Sequence, residues 1–330
     1  MSAAEGPQIS VVVPMYNEER GLDALYGRVT RVMEDLGRSY ELVCVNDGSR
    51  DDTLERLLDL VRHDPRVRVV DLSRNYGKEV ALAAGIRAAS GKAVIPLDAD
   101  LQDPPEVIPD LVSKWDEGFD AVYAVRRSRQ GETALKKTSA SLFYRVMNLV
   151  SEVEIPRDAG DFRLISRPVA DALNEIKETQ RYNKGLFAWV GFRQTRILYD
   201  REPRSSGTTK QSYWKLWGLA LEGITSFSWV PLQIATYAGL LVALGAAAYG
   251  IYTIVHALLG QVNAPGYSSL MTVVLFLGGM QLFTIGVMGE YVGRIYSESK
   301  RRPLYFVREM YGFANEPQRE VAADPSRGEG

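Results

Sequence analysis

Short β-branched runs alternate with amphipathic stretches through the first part of the chain. Ile9-Ser-Val-Val-Val13, Glu41-Leu-Val-Cys-Val45, Val67-Arg-Val-Val-Asp71 and Ala93-Val-Ile-Pro-Leu97 have the length and composition of buried strands. Helical periodicity fills the intervals, over about Gly21 to Leu36, Thr53 to Val61 and Val80 to Ala89. Strands joined by helices of this length predict βαβ units, hence an α/β domain with a mostly parallel sheet covered on both faces. A fifth apolar run, Ala121 to Val125, extends the pattern. Ligands of such sheets sit at the carboxyl ends of strands. That rule draws attention to Tyr16, Asn17 and Glu18 after the first run, Asn46, Asp47 and Gly48 after the second, and Asp98, Ala99 and Asp100 after the fourth.

The pattern then changes. Between Glu222 and Glu290 there is no Asp, Glu, Lys or Arg. This interval far exceeds the roughly 20 residues that one membrane crossing needs. Two helices fit, at about Pro231 to Leu259 and Leu270 to Val292, separated by turn chemistry from Gly260 to Gly266. The alternative is a pair of buried helices in a soluble core, although such helices usually keep a charged face. Lys210 and Lys215 precede the hairpin, and Arg294, Lys300, Arg301 and Arg302 follow it, while the connection carries no basic residue. The positive-inside rule therefore predicts a multi-pass protein of the cytoplasmic membrane with both termini in the cytoplasm.

The predicted organisation is a cytoplasmic domain over 1–212, an interfacial amphipathic helix over 213–230, two transmembrane helices over 231–293, and a juxtamembrane helix with a flexible tail over 294–330. Trp214, Trp217 and Leu219 interleaved with Lys215 and Glu222 suit the interfacial segment and contact with membrane lipids. Lys and Arg number 39 against 41 Asp and Glu, a net charge of -2, so the overall balance points to no nucleic-acid partner. The single cysteine, Cys44, reads as a small buried hydrophobe. The N-terminus lacks a basic region ahead of a long apolar stretch, so no secretory signal is expected.

Asp98-Ala99-Asp100 closes an apolar strand with two carboxylates, and Gln102 follows with a neutral carbonyl. Hard oxygen ligands of this kind suit Mg²⁺ or Mn²⁺ and a diphosphate. Alone, such a triplet is more often a solvated turn or a helix cap. Its company is more specific. Val13-Pro-Met-Tyr-Asn-Glu18, Val45-Asn-Asp-Gly-Ser49, Asp98 to Glu106 and Asp158-Ala-Gly-Asp-Phe-Arg-Leu164 occur in the order seen in family 2 inverting glycosyltransferases. More narrowly the chain resembles bacterial polyprenyl-phosphate (bactoprenol) glycosyltransferases, with dolichyl-phosphate mannose synthases as more distant relatives. The likeness runs through the two-span tail to Gly289-Glu-Tyr-Val-Gly-Arg-Ile-Tyr296.

That resemblance implies a nucleotide-sugar-binding domain of the GT-A type, a nucleoside-diphosphate sugar as donor and polyprenyl phosphate as acceptor. Pro14, Tyr16, Glu18 and Asp47 would frame the nucleoside, with Asp47 toward the base. Asp98 would lie near the ribose or metal, and Asp100 and Gln102 would be the direct metal ligands. Asn46 is a departure, since many relatives carry aspartate there. Asp161 would be the acceptor-side carboxylate, with Asp158 as runner-up; the plain alternative is a loop aspartate holding backbone amides.

The acceptor phosphate needs cations, for which Arg126, Arg127, Lys136 and Lys137 are candidates. A second cluster, Arg201, Arg204, Gly207, Thr209 and Lys210, resembles the family's R-x-x-G-x-S-K-Y stretch, with Thr209 for serine and Gln211 for tyrosine. A solvated basic surface or an anchor to anionic lipid is the competing account. The expected reaction is inverting transfer of a sugar, glucose from UDP-glucose by nearest resemblance. The alternatives are a processive polysaccharide synthase, which would need more spans, and a noncatalytic nucleotide-sugar-binding membrane protein. A homo-oligomer through Gly239, Gly245, Gly278, Gly279 and Gly286 is also expected to be feasible.

Overall fold

The computed structural model describes residues 6–127, 159–178, 181, 183–200, 230–259 and 266–313. The predicted alternation is present as β1 (Ile9–Met15), α1 (Leu22–Leu36), β2 (Tyr40–Asn46), α2 (Thr53–His63), β3 (Val67–Leu72), α3 (Lys78–Ala88) and β4 (Ala93–Pro96). Every residue of β2 and β4 is buried, as strands covered on both faces require. Amphipathic α1 buries Leu22, Leu25, Val29, Val32 and Met33 on one stripe and stops at Gly37, whose φ of 68° is a left-handed cap. Helix α3 presents small residues instead, with Ala81, Ala83, Ala84 and Gly85 all buried, so its backbone lies close to the sheet.

The chain continues through α4 (Ile108–Asp116), β5 (Ala121–Arg126), β6 (Ala159–Ser166), α5 (Arg167–Glu175), α6 (Asn183–Trp189) and β7 (Gln194–Tyr199). It then forms α7 (Val230–Leu258), α8 (Tyr267–Ser299) and β8 (Val307–Tyr311). Among the described residues the strands make one sheet in the order β7-β5-β6-β4-β1-β2-β3-β8. Helices α1, α2 and α4 pack into the apolar layer on one face, and α3, α5 and α6 into the layer on the other.

The expectation of a mostly parallel sheet holds for the centre, where β3, β2, β1 and β4 run parallel. Strands β5 and β7 also pair parallel, so the exceptions are two strands. Strand β6 is inserted antiparallel between β4 and β5, and β8 pairs antiparallel with β3, so the sheet is mixed. The Asp161 segment is therefore strand and not loop. Residues 307–311, within the predicted juxtamembrane helix and tail, are likewise a strand that covers the β3 edge.

Helices α7 and α8 have 29 and 33 residues. At about 1.5 Å per residue they reach roughly 44 and 50 Å, against a hydrocarbon thickness of about 30 Å. Both are long and apolar enough to cross a membrane, and none of their apolar windows, Ala235–Tyr252 and Ser269–Ser299, is buried in the protein. Exposed apolar windows are unlike the buried helices of a soluble core and suggest association with a membrane. The predicted interfacial segment before Val230 lies outside the described residues.

Candidate active site

The strand order turns at β1, with β2 on one side and β4 on the other, which opens a crevice at their carboxyl ends. Three loops meet there. Asn17, with φ 57°, lets the chain leave β1 sharply; its backbone N–H donates to Ser49 Oγ at 3.0 Å, and its Oδ1 accepts from Arg50 N at 2.8 Å. Glu18 N donates to Thr53 Oγ1 at 2.9 Å, which ties the β1 loop to the start of α2. Tyr16 stands exposed at the rim. Burial pushes the Glu18 carboxyl above its ordinary range, and the nearby Asp100, Asp51 and Asp98 carboxylates push it further. Such crowding of like charge is the electrostatic signature of a place for a cation.

Asp47 is buried, and its two oxygens accept backbone hydrogen bonds from Tyr76 N at 2.7 Å and Gly77 N at 2.9 Å. Burial raises its carboxyl above the usual range, although those two amides work in the opposite direction. It thus fastens the β3–α3 loop to the end of β2. Gly48 shows how close the two loops lie. Its φ is 65°, and a Cβ there would come within 2.6 Å of the Arg74 and Asn75 backbone. Asn46, the departure from the family pattern, donates through Nδ2 to Asp71 Oδ1 at 2.7 Å, with both residues buried. Asp71 in turn pairs with Arg308 of β8 at 3.2 Å. An amide suits this position because it can donate to a buried carboxylate.

The loop pinned by Asp47 delivers Lys78, the first residue of α3, to the middle of the crevice. Lys78 Nζ lies 2.7 and 2.9 Å from the two oxygens of Asp98 and 2.6 Å from Asp161 Oδ2. Burial opposes its charge, but the two carboxylates outweigh burial and raise the ammonium well above its usual range. Burial raises the Asp98 carboxyl, Lys78 counteracts this, and Asp161 and Asp103 raise it again. Asp100 Oδ1 accepts from Gln102 N at 3.1 Å. Gln102 is buried, and its Oε1 has no hydrogen-bond partner, an orphaned acceptor that a cation would satisfy. Among the described residues no three His, Cys, Asp or Glu side chains converge to hold a metal by themselves. Two carboxylates and an amide carbonyl fit Mg²⁺ or Mn²⁺ when substrate phosphate completes the sphere.

Comparison with known proteins shows where this arrangement belongs. The Glycosyl transferase family 2 model matches residues 10–173, and a GtrB C-terminal hairpin model matches residues 230–295. An uncharacterized glycosyltransferase of Synechocystis is 53% identical, across 92% of this chain and 96% of that protein. The bactoprenol glucosyl transferase of Shigella phage SfV is 46% identical across 91% and 98%, and the prophage bactoprenol glucosyl transferase homolog of Escherichia coli is 45% identical across 92% and 99%. The chain belongs to glycosyltransferase family 2. Its mixed α/β sheet is the GT-A-type fold expected from the resemblance. Among solved structures it is similar to glucosyl-3-phosphoglycerate synthase from Mycobacterium tuberculosis, at 22% identity, 67% of this chain, 78% of that chain and a TM-score of 0.43.

On the far side of the glycosyltransferase crevice, β6 runs beside β4 and so carries Asp161 to Asp98. Arg163, two residues on, donates to Gly160 O at 2.7 Å and stacks on Phe187 at 3.9 Å, which braces the strand. Arg126 at the end of β5 hydrogen-bonds Tyr199, whose hydroxyl donates to Asp103. Burial and the Asp103 carboxylate raise the Tyr199 phenol well above its ordinary range. Arg126 keeps a buried Nε without a partner, whereas exposed Arg127 pairs with Asp200 at 3.4 Å. Asp158, Lys136, Lys137, Arg204, Thr209 and Lys210 lie outside the described residues. Pro14 sits within β1, one residue before Met15 ends the strand. Lys78, Arg163 and the Tyr199–Asp103 pair escaped sequence reasoning. Only Gly77-Lys78-Glu79 after a strand hinted at the first of them.

Proposed function

We propose that the protein transfers glucose from UDP-glucose to polyprenyl phosphate with inversion at the cytoplasmic membrane face. The observation that carries this reading is that Asp98 and Asp161, the carboxylates expected on the donor and acceptor sides, meet on one ammonium, that of Lys78. The bactoprenol glucosyl transferases among the relatives support the sugar and the lipid.

An acceptor phosphate oxygen attacks the anomeric carbon as the bond from that carbon to the diphosphate oxygen breaks, so one in-line displacement inverts the centre. No covalent enzyme intermediate is needed. A phosphate monoester is already largely ionised near neutral pH, so Asp161 orients the acceptor or takes its last proton. Pro14, Tyr16, Glu18 and Asp47 frame the nucleoside. Arg126, with Lys136, Lys137, Arg204, Thr209 and Lys210, receives the acceptor phosphate by charge-assisted hydrogen bonds. Asp98, Asp100 and Gln102 would hold Mg²⁺ or Mn²⁺, which supplies charge neutralisation for the departing diphosphate.

The membrane arrangement follows the same logic. Strands β3 and β8 flank the hairpin in sequence yet pair in one sheet, which supports two crossings that return the chain to its starting side. The basic residues outside the hairpin support the cytoplasm as that side.

The test incubates the purified full chain with radiolabelled UDP-glucose, other labelled nucleotide-sugars, polyprenyl phosphate and Mg²⁺ or Mn²⁺. Label from UDP-glucose should enter the organic phase, and EDTA or Asp100→Asn should lower the rate by at least about 100-fold, the scale of a lost transition-state charge interaction. Label that stays in water with every donor would refute lipid transfer. Undiminished transfer in EDTA would refute the metal.

A further inference from the structure

Lys78 makes its contacts in a place that the reaction needs for something else. Its ammonium spans both oxygens of Asp98 and reaches Asp161, so it takes the chelating position between the two oxygens of the carboxylate that opens the Asp98–Asp100 pair. A divalent ion bound to Asp98 at about 2.0–2.2 Å would meet that ammonium at a distance where two cations repel strongly. Both cannot hold Asp98 as the lysine does here.

We propose that Lys78 is an exchangeable internal counter-cation: it neutralises Asp98 and Asp161 in the free enzyme, and it yields Asp98 to the divalent ion when the donor diphosphate arrives to receive the ammonium. The inference rests on the metal-dependent reading above. Three observations support it. The backbone that carries Lys78 is held, since Asp47 accepts from the two preceding amides, so exchange requires only rotation of the lysine side chain. That side chain is still 43% exposed while Asp161 is only 12% exposed, which leaves the lysine room to move on the open side of the pair. Glu18, Asp51 and Asp100 crowd the same crevice, so the free site needs a cation and the loaded site has charge for two.

The consequence is ordered loading. Metal alone must evict the lysine into solvent, whereas metal and diphosphate together give both cations an anionic partner. Binding of the two should therefore be strongly cooperative, and by linkage the cooperativity is the same whichever is titrated.

Mn²⁺ binding to the purified full chain, followed by the loss of the free-ion electron paramagnetic resonance signal, tests this without reference to turnover. Titrations with Mn²⁺ alone and with Mn²⁺ plus UDP would compare the parent with Lys78→Met, Lys78→Gln and Lys78→Arg. The neutral variants should bind Mn²⁺ alone at least about tenfold more tightly than the parent, and UDP should improve their Mn²⁺ affinity by less than it improves the parent's. Lys78→Arg, which keeps the charge, should stay within about threefold of the parent. If the parent binds Mn²⁺ with UDP but both neutral variants bind Mn²⁺ alone no more tightly than it does, the counter-cation is refuted and the metal site stands. If the parent takes up no Mn²⁺ even with UDP, the metal-dependent reading and the inference fail together.

Discussion

Asn46→Asp changes one atom in kind and inverts the chemistry of a buried contact. Asn46 is 1% exposed, and its amide donates to Asp71, which is 0% exposed, at 2.7 Å. A second carboxylate at this distance would meet the first with a repulsion of about 6 kcal/mol at an effective dielectric near 20. The protein has a cheaper escape, in which the introduced carboxyl keeps its proton and donates as the amide did. Holding a proton at pH 7 on a group that ordinarily releases it near 3.9 costs about 1.36 kcal/mol per pH unit, hence at most about 4 kcal/mol. Arg308, 3.2 Å from Asp71, lowers that somewhat, so a loss of about 2–4 kcal/mol is expected.

The sign follows from linkage. In the variant the folded state binds a proton that the unfolded chain releases, so the penalty grows with rising pH and is nearly gone by about pH 4. Thermal unfolding of the full chain in uncharged detergent, read by tryptophan fluorescence, should show a Tm about 5–12 °C below the parent at pH 7 and less than half that deficit at pH 5. Exchanging the partners, Asn46→Asp with Asp71→Asn, should recover much of the loss. A parent-like Tm at pH 7, or a deficit that does not change with pH, would refute the account of Asn46 as an obligatory donor.

Asp64→Asn probes a different carboxylate. Asp64 is buried beside Tyr26 and receives Arg66 on both oxygens at 2.9 Å; burial raises its carboxyl, but the Arg66 and Tyr26 hydrogen bonds outweigh burial and hold it below its ordinary 3.8. The variant should lose about 1.5–2 kcal/mol, a modest figure because Arg66 is 36% exposed and its charge is screened. Because the folded value is depressed, that loss should be constant from pH 8 to 5 and shrink only below about pH 4; a gap that closes between pH 7 and 5 would contradict it. Cysteines introduced at Ser269 and Ser299, near opposite ends of α8, should differ in labelling by an impermeant thiol reagent on intact cells, with the first reactive and the second protected. The native Cys44 is buried and should contribute no background; equal labelling at both positions would overturn the crossing.

Much of this molecule is local, and the local part was legible in the sequence. Strands β1 to β4 and helices α1 to α3 declare themselves because their burial repeats within a few residues, as in the stripe from Leu22 to Met33. The apolar hairpin is legible for a stronger reason, since a charge-free run of such length stands out from the charged and polar residues on either side of it. The Asp98–Asp100 triplet drew meaning from its position at a strand end. What only the tertiary structure decided is the company each group keeps. Strand β6 enters the sheet antiparallel beside β4, and that pairing turns Asp161 from a loop residue into the neighbour of Asp98. Strand β8 crosses from beyond the hairpin to reach β3, joining Arg308 to Asp71 across a separation of 237 residues. Lys78 is one lysine among many in the sequence and becomes distinct only where two carboxylates converge on it. Periodicity records which face of an element is buried; it carries no information about which distant strand will lie alongside, and charge pairing in the crevice depends on that placement.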